Sequence, residues 1–386
     1  MIYLDNAATT LHKPQQVIDA VVHAMQSMGN CARGTHEEAL DAARTVYDAR
    51  VRLASLFGCP RVDHVAFTAN STEALNIAIN GLIDPGDHVI STDLEHNSVL
   101  RPLYRLEAEH GAELSFVPAD KLGNVDYADF ERLMKPNTRA VVCTNASNLT
   151  GTVLDIERIA KTAHSHGALV IVDASQTAGC WPIDMKKMGI DVLCFTGHKS
   201  LLGPTGTGGV YLNPAITPEP FMRGGTGSLS DLEEHPLFMP DVWEAGTGNP
   251  MGIAGLGAGV GFVLNKGVEN IAREETALNQ YFMDAIKDHD MVKIYGPMDA
   301  KRKTAVTSIN INGMVCSTVG EQLNDACGIM VRTGLHCAPG AHRTLGTFPE
   351  GTVRFSFGNF STKDQVDVAV QAILALADYA AENKED

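Results

Sequence analysis

Two residues with complementary chemistry follow apolar runs in the middle of the chain. Asp173 ends the run 168–173. Lys199 comes soon after the run 192–195 and just before the glycine-rich segment 203–210. A lysine amine can form a Schiff base with a carbonyl, and a carboxylate can keep a pyridinium nitrogen protonated. Taken singly, Lys199 could be a surface residue and Asp173 a helix cap; together they predict a pyridoxal phosphate site.

A cysteine in a turn-rich stretch is the second candidate. Cys337 lies among glycine and proline in the stretch 332–340, outside any apolar periodicity, and this setting predicts a flexible loop. The thiolate is the nucleophilic form, and the neighbouring His336 and Arg332 could favour it by their charge. Two alternatives stay open: a buried structural cysteine, or a metal site built from His336, Cys337 and His342. A metal site needs more ligands at regular spacing, so we predict no metal.

Two further stretches could bind anions. Arg354 lies in the apolar run 353–358, where an arginine is costly unless it meets an anion such as a substrate carboxylate. A structural ion pair is the alternative for this arginine. The stretch 70–76 follows an apolar run and opens a helical pattern, with Ser71 or Thr72 as the expected N-cap. Free N–H groups at such a helix start can seat a phosphate, and plain capping is the alternative.

The elements that must position these residues alternate along the chain. Five short apolar runs predict strands, at 64–68, 88–91, 140–144, 169–173 and 192–195. Between two of them, apolar residues at helical spacing predict a helix within 155–167 that stops at Gly167. Such alternation is typical of a parallel sheet with helices on both faces, which binds ligands outside the carboxyl ends of its strands. Asp173 and Lys199 fall at those ends.

The length of the chain indicates more than one domain. Its 386 residues exceed the usual size of one hydrophobic core, and the periodic pattern breaks into a Pro-, Gly- and Ser-rich loop before residue 250. We expect residues 1–15 to pack on the small domain, 16–250 to form the large domain and 251–386 to form the small C-terminal domain. The stretch 361–366 carries a capping signal for a final helix.

The bulk composition narrows the class of protein. The net charge is −16 and the pI is about 5.3, which argues against nucleic-acid binding and against adhesion to anionic membranes. No apolar run approaches the ~18 residues of a membrane span, and the N-terminus has no signal or transit pattern. The eight cysteines include no C-x-x-C pair, so a disulfide or zinc framework is not expected. We therefore expect a cytoplasmic protein.

Several motifs carry a resemblance that spans nearly the whole chain. They are 3–10 (YLDNAATT), 33–36 (RGTH), 95–98 (EHNS), 145–151 (NASNLTG), 173–176 (DASQ), 196–199 (TGHK) and 244–249 (EAGTGN). With the stretch around Cys337, they make the chain resemble class V aminotransferase-family enzymes of the cysteine desulfurase and selenocysteine lyase group. The R-x-G-x-H-C-A form around Cys337 resembles the branch with a short, relatively ordered cysteine loop.

The resemblance implies an α/β protein of fold type I that binds pyridoxal 5'-phosphate and forms a homodimer. In this fold a large domain with a mainly parallel sheet, flanked by helices, is joined to a smaller α+β C-terminal domain. Lys199 would carry the cofactor and move the substrate proton. Asp173 would pair with the pyridine nitrogen and Gln176 would face the phenolic oxygen. His96 would stack on the ring and shuttle protons.

The resemblance also implies residues for the phosphate and the substrate. The residues implied for the phosphate are Ser71, Thr72, Thr196 and His198, with Thr247 reaching across from the other subunit. The residues implied for the substrate are Asn148 and Arg354 at its carboxylate, together with His36, and Asn148 also borders the cofactor. Two features depart from the family pattern: a second histidine is missing after His96, and the stretch 338–346 differs from that of dedicated iron–sulfur assembly enzymes.

The activity implied by the resemblance is that of a cysteine desulfurase. Sulfur would leave L-cysteine, giving L-alanine and a persulfide on Cys337 for transfer to an acceptor protein. Three other hypotheses stay open. They are a selenocysteine lyase acting on L-selenocysteine, a transaminase or other lyase in which Cys337 is incidental, and a non-catalytic sulfur-carrier scaffold or regulator.

Overall fold

The computed structural model describes residues 1–31 and 34–383; Arg33, part of one family motif, lies outside the described residues. The strands are β1 (Ile2–Tyr3), β2 (Val65–Thr68), β3 (His88–Thr92), β4 (Glu113–Val117), β5 (Thr138–Thr144), β6 (Leu169–Asp173), β7 (Val192–Thr196), β8 (Gly208–Leu212), β9 (Val292–Tyr295), β10 (Val306–Ile311), β11 (Ile329–Met330), β12 (Arg332–Gly334) and β13 (Thr352–Ser356). The α-helices are α1 (Gln15–Ser27), α2 (Glu37–Phe57), α3 (Ser71–Leu82), α4 (Asn97–His110), α5 (Ala128–Leu133), α6 (Ile156–Ser165), α7 (Met185–Met188), α8 (Pro250–Lys266), α9 (Val268–Ile286), α10 (Cys316–Cys327), α11 (Pro339–Leu345) and α12 (Lys363–Glu382).

A seven-stranded, mainly parallel sheet forms the centre of the fold, as predicted. Its strand order is β2-β8-β7-β6-β5-β3-β4, and the neighbouring pairs from β7 to β4 are parallel. The five predicted strands are β2, β3, β5, β6 and β7, because runs rich in Val and Ile suit a sheet that is buried on both faces. β8 is an addition, antiparallel to both β2 and β7. A Cβ added at Gly208 would lie 2.8 Å from the Asn70 backbone, so this strand needs its glycine.

Helices cover both faces of this sheet. On β6, Val170 and Val172 face one apolar core, which contains Phe57 and Phe130. Ile171, between them, faces the other core, which is formed largely by side chains of α3 and α4. Because successive side chains of a strand point to opposite faces, this arrangement buries every residue of β6 after the half-buried Leu169 and confirms the predicted helix layers.

A second, antiparallel sheet has the strand order β12-β13-β10-β9. Helices α9, α10 and α12 pack on it around Phe282, Phe355 and Phe357. β1 pairs in parallel with β11, and Leu4 joins the same core, so the N-terminus lies against this unit. α8 packs on α1 and α2 of the larger unit. The division into 1–15, 16–250 and 251–386 stays a prediction.

The helix starts follow local capping chemistry, and one of them differs from the prediction. The N-cap of α3 is Asn70, whose side chain accepts a hydrogen bond from the Glu73 N–H at 3.0 Å. The prediction of Ser71 or Thr72 as cap is wrong because Asn70, an equally good capping residue, already occupies the extended position before them. The capping box predicted for α12 is confirmed, with Thr362 and Gln365 bonded to each other's backbone N–H.

No single helix of the described residues is long and apolar enough to cross a membrane. Helices α8 and α9 reach that length and apolar composition only as a pair bent by 81°.

Candidate active site

Asp173 and Lys199 lie at the carboxyl edge of the large sheet. Asp173 is the last residue of β6, flanked by Thr144 of β5 and Cys194 of β7. Its side chain is buried, and its Oδ1 accepts the backbone N–H of Ser175 at 2.9 Å. Lys199 follows the end of β7 by three residues. Because the carboxyl ends of parallel strands share one edge, the sheet brings the two residues together.

The amine of Lys199 has an altered proton affinity. Burial, with the charges of Arg354 and Arg332 adding to it and those of Asp173 and Asp5 opposing it, lowers the pKa of Lys199 to about 8. A lysine in this setting has an appreciable neutral fraction near neutral pH, and the neutral amine is the nucleophile. The site can therefore support Schiff-base chemistry without a separate base to activate Lys199.

The N-terminal segment holds the backbone around Lys199, a contribution that the sequence reasoning missed. Thr10 Oγ1 donates a hydrogen bond to the Lys199 carbonyl at 3.0 Å. The Thr10 N–H and the Lys13 amine donate to the His198 carbonyl at 3.1 and 3.0 Å. The motif 3–10 marked this segment in the sequence, but nothing in the motif predicts that it contacts residues 198 and 199.

His96 is the N-cap of α4. Its Nδ1 accepts the Ser98 N–H at 3.1 Å, so the proton of the neutral ring is on Nε2. Burial lowers the pKa of His96 to about 4; Asp173 opposes this shift, and Lys199, Arg332 and Arg354 add to it. At neutral pH the ring is therefore an uncharged, half-buried imidazole.

Glu95 belongs to the motif 95–98 but was not among the predicted site residues; it is a fully buried carboxyl next to His96 in the chain. Its Oε1 accepts hydrogen bonds from Thr92 Oγ1 at 2.6 Å and from the Thr144 N–H at 3.0 Å. Its Oε2 has no partner among the described residues. Burial raises the pKa of Glu95 to about 8, and the nearby Asp173 contributes. Glu95 thus links β3 to β5 as a neutral acid at neutral pH.

Cys337 lies beside this group on the four-residue connection between β12 and α11. Its side chain is exposed, so the alternative of a buried structural cysteine is wrong. Its carbonyl oxygen accepts the Asn97 N–H at 2.8 Å. Asn97 directly follows His96, so the backbone contact places the cysteine loop against the start of α4.

His336 corrects a second expectation. We predicted that its positive charge would favour a Cys337 thiolate, but the His336 side chain is 4% exposed. Burial, with Arg354 adding to it, lowers the pKa of His336 well below its ordinary value. A neutral ring supplies no cation, and only Arg332 of the two expected neighbours carries charge. Across residues 1–31 and 34–383, no group of three or more His, Cys, Asp or Glu is arranged to hold a metal ion.

Arg354 and Asn148 form a connected buried pair. Arg354 Nη1 donates to the Asn148 carbonyl at 3.0 Å, and its Nη2 donates to Asp5 Oδ1 at 2.9 Å. The structural ion pair weighed as an alternative is therefore present. Arg354 Nε and Asn148 Oδ1 are nevertheless buried with no partner in the described chain. The Asn148 amide N–H group donates to the His336 carbonyl at 2.7 Å.

The remaining candidates near Lys199 are polar side chains on neighbouring elements. Thr196 ends β7, and its buried Oγ1 finds no partner among the residues described. His198 contacts Thr9 Oγ1 through Nδ1 at 3.1 Å. Thr72 Oγ1 lies 2.8 Å from the Oγ of Ser98, the second residue of α4. Ser71 is the first residue of α3. Gln176 donates to the Ala7 carbonyl at 3.1 Å.

Two candidates lie away from this group. Thr247 is exposed on the wall of a cavity of about 870 Å³, and none of the other predicted site residues lines it. His36 is exposed and caps α2, accepting the Ala39 N–H at 3.3 Å. Within one protomer neither residue meets Lys199, and the role of His36 stays a prediction.

The fold and the position of the site define a class of protein. A mainly parallel sheet that carries a lysine and a carboxylate at its carboxyl edge is the architecture of the fold type I pyridoxal phosphate enzymes. The chain belongs to the aminotransferase class-V family, whose model matches residues 2–368.

Relatives and solved structures agree with this assignment. A probable cysteine desulfurase from Mycolicibacterium paratuberculosis is 37% identical over 387 residues, covering 98% of this chain and 56% of the relative. One from Methanothermobacter thermautotrophicus is 34% identical over 97% of this chain and 94% of the relative. The chain thus spans little more than half of the first relative and 62% of a second, from Mycobacterium leprae.

Two solved structures share the fold along nearly the whole chain. The apo cysteine desulfurase from Thermococcus onnurineus has a TM-score of 0.92 at 33% identity, covering 98% of this chain and 94% of that one. The cysteine desulfurase CsdA from Escherichia coli has a TM-score of 0.87 at 29% identity, with the same coverage.

Proposed function

We propose that this protein is a pyridoxal phosphate-dependent cysteine desulfurase that converts L-cysteine to L-alanine and holds the sulfur as a persulfide on Cys337. The observation that carries the proposal is the exposed thiol beside the lysine site. The Cys337 side chain is exposed, and its carbonyl is hydrogen-bonded to the residue that follows His96. The names of the relatives support the same activity.

The polar groups of the site fit the cofactor. Thr196 Oγ1 is a buried hydroxyl without a partner in the described chain, and Thr196 pairs with Gly208, which lies against the Asn70 backbone at the start of α3. Phosphate oxygens are acceptors suited to a free hydroxyl and to the N–H groups of a helix start. This arrangement supports a phosphate between β7 and α3.

We assign the cofactor contacts on that basis. Lys199 would hold the cofactor covalently, Asp173 would meet the pyridine nitrogen, Gln176 the phenolic oxygen and His96 the ring face. The residues assigned to the phosphate are Ser71, Thr72, Thr196 and His198. When bound, the cofactor withdraws electrons from the substrate Cα, which is the chemistry that weakens the Cβ–S bond.

The substrate is oriented by the buried pair. Arg354 keeps its Nε–H free after its contacts with Asp5 and Asn148, so it suits the carboxylate of L-cysteine. Asn148 donates one of its two amide N–H groups to the His336 carbonyl, and its Oδ1, which has no partner in the described chain, suits an N–H donor better than a carboxylate. Lys199, with a pKa of about 8, can take up and release a proton at the substrate Cα near neutral pH.

The sulfur transfer itself exchanges atoms only between L-cysteine and the Cys337 thiol. The Cys337 thiolate attacks the sulfur of L-cysteine, an S–S bond forms and the Cβ–S bond breaks. The electron pair of the broken bond stays with the carbon skeleton, which takes up a proton and leaves as L-alanine. Cysteine and one thiol thus become alanine and one persulfide, with no outside oxidant. An acceptor protein or a small thiol would remove the terminal sulfur and restore Cys337.

We also propose a homodimer located in the cytoplasm. Thr247 is exposed on the 870 Å³ cavity, from which it could reach a partner's phosphate. The exposed apolar residues Ile18, Val22 and Met25 lie along one side of α1, and such contiguous apolar surface marks an interface. Gel filtration of the cofactor-loaded protein tests this state, and a stable, active monomer would contradict it.

The activity is tested with the cofactor-loaded protein, L-cysteine and a thiol reductant, by measuring alanine and sulfide. We expect equal amounts of both, and we expect Cys337→Ser to abolish them. Cys327→Ser is the matched control, because Cys327 is also exposed but lies at the end of α10. Unchanged desulfuration in Cys337→Ser would refute the proposal. Relative turnover of L-selenocysteine tests the choice of L-cysteine as substrate.

A further inference from the structure

The backbone that presents Cys337 is in an unusual conformation. His336 and Cys337 have φ values of 49° and 56°, so two consecutive non-glycine residues occupy the left-handed region. This region is strained for any residue that carries a Cβ. A pair of this kind persists only where surrounding contacts hold it, and such strain is concentrated at functional sites.

Hydrogen bonds to the main chain hold this pair from both sides. The Cys337 carbonyl accepts the Asn97 N–H at 2.8 Å, and the His336 carbonyl accepts Asn148 Nδ2 at 2.7 Å. The Ala338 N–H donates to the Leu335 carbonyl at 2.9 Å, which closes the turn. These contacts fix where the two carbonyls point, but none of them constrains the start of the turn toward β12.

The His336 side chain supplies that missing constraint. Its Nε2 lies 3.1 Å from the Arg332 carbonyl, the first residue of β12. A carbonyl only accepts, so Nε2 carries the proton and Nδ1 is bare. The ring is buried and stacks on the His342 ring of α11, with centroids 5.7 Å apart and planes at 14°. One imidazole therefore ties the strand before Cys337 to the helix after it.

We propose that His336 is a positioning residue that sets the place of the Cys337 thiol by bonding its Nε2–H to the Arg332 carbonyl and packing on His342. The proposal rests on the proposed desulfurase function. His336 acts through the backbone of Cys337: it is buried, and its proton is committed to a carbonyl, so it is not a general acid or base for the substrate. A thiol displaced by about 1 Å would lose on the order of 100-fold in the transfer step.

Two substitutions of His336 separate the side-chain bond from the backbone conformation. In His336→Gln, the amide Nε2 can replace the imidazole Nε2 as donor to Arg332. In His336→Asn, the amide is too short for that bond, although asparagine tolerates a positive φ better than glutamine does. We therefore expect the Gln variant to retain more sulfur transfer than the Asn variant. If only the backbone preference mattered, the Asn variant would be the faster of the two. His110→Asn, at an exposed position of α4, is the matched control.

The experiment uses cofactor-loaded protein and has two readouts. The cofactor absorbance change on adding L-cysteine reports substrate binding, and single-turnover alanine formation reports the step at Cys337. We expect His336→Asn to slow alanine formation by about 10- to 100-fold with an unchanged absorbance titration, and His336→Gln to recover most of the rate. Equal or better transfer in the Asn variant than in the Gln variant would overturn the proposal, as would loss of the cofactor spectrum in His336→Asn, which would indicate a role in the fold. Activity retained in Cys337→Ser would instead overturn the desulfurase function.

Discussion

A buried lysine outside the candidate site gives a stability prediction with a definite pH dependence. Lys303 is fully buried. Its amine contacts Met283 Sδ at 3.8 Å and Thr307 Oγ1 at 3.4 Å, and it makes no ion pair with any carboxylate of residues 1–31 and 34–383. Burial lowers its pKa from the ordinary value of 10.5 to about 7. We expect Lys303→Met to stabilise the protein at neutral pH.

The magnitude follows from the proton linkage. Because the folded-state pKa of Lys303 lies below the unfolded-state value, the folded protein binds fewer protons between pH 7 and 10.5, and wild-type stability rises across that window. At 1.36 kcal/mol per pKa unit, the charge penalty at pH 7 is about 4 kcal/mol. At pH 9.5 it has fallen to about 1 kcal/mol. Methionine is about as long as the lysine side chain without its amine, and Thr307 keeps its 2.6 Å hydrogen bond to Asn279. The substitution therefore removes few favourable contacts.

The assay is urea unfolding of wild type and variant at pH 7 and at pH 9.5. We expect the Lys303→Met advantage to be several-fold larger at the lower pH. Lys301→Met is the matched control, because Lys301 is exposed two residues away and its substitution should change neither curve. An advantage independent of pH, or a variant less stable than wild type at pH 7, would refute the reasoning that Lys303 is buried with an unpaired charge.

Three further substitutions test single contacts by denaturant midpoints. Burial raises the folded-state pKa of Glu95 to about 8, so the stability that its protonated form contributes is lost as the pH rises from about 4.5 to 8. Glu95→Gln should therefore gain stability relative to wild type across that window, by up to about 4 kcal/mol at pH 8. A difference in unfolding free energy that does not change with pH would contradict this. Asn70→Ala removes the α3 cap and should cost about 1 kcal/mol, with Asn70→Ser close to wild type. Asp5→Asn leaves Arg354 buried without its carboxylate and should cost about 3 kcal/mol; no loss would show that the ion pair contributes nothing.

The strands at the centre of the sheet could be predicted because local composition reports their environment. β6 and β7 are short runs of large apolar residues, as strands buried on both faces must be. β8 could not be predicted, because it opens with two glycines, which indicate a turn in isolation. Its environment explains them: a Cβ at Gly209 would lie 2.5 Å from the Phe195 ring. Tertiary packing, which the sequence pattern does not report, decides that these glycines form a strand.

The candidate residues Lys199 and Asp173 could be predicted for a similar reason. The residues that hold the site in place from distant parts of the chain could not. Lys199 and Asp173 follow apolar runs, and the carboxyl ends of parallel strands converge, so pattern and topology together indicate a site. Thr10 bonds to a residue 189 positions away, and Asp5 pairs with Arg354 across 349 positions. Contacts between residues so far apart in the chain produce no local sequence pattern. The neutral state of His336 was also missed, because burial rather than residue type sets its charge.

Two arginines that face each other on β12 and β13 affect the proton affinity of both Lys199 and His96. Arg332 and Arg354 are register partners, and both lower the pKa values of Lys199 and His96, against the opposing charge of Asp173. Burial is the first cause of both shifts, the two arginines add to it, and Arg354 is also paired with Asp5. A substrate carboxylate bound at Arg354 would offset part of this positive charge, and the proton affinity of the Lys199 amine would rise. Under the proposed function, binding of the substrate carboxylate at Arg354 and the basicity of Lys199 would thus be coupled through one charge.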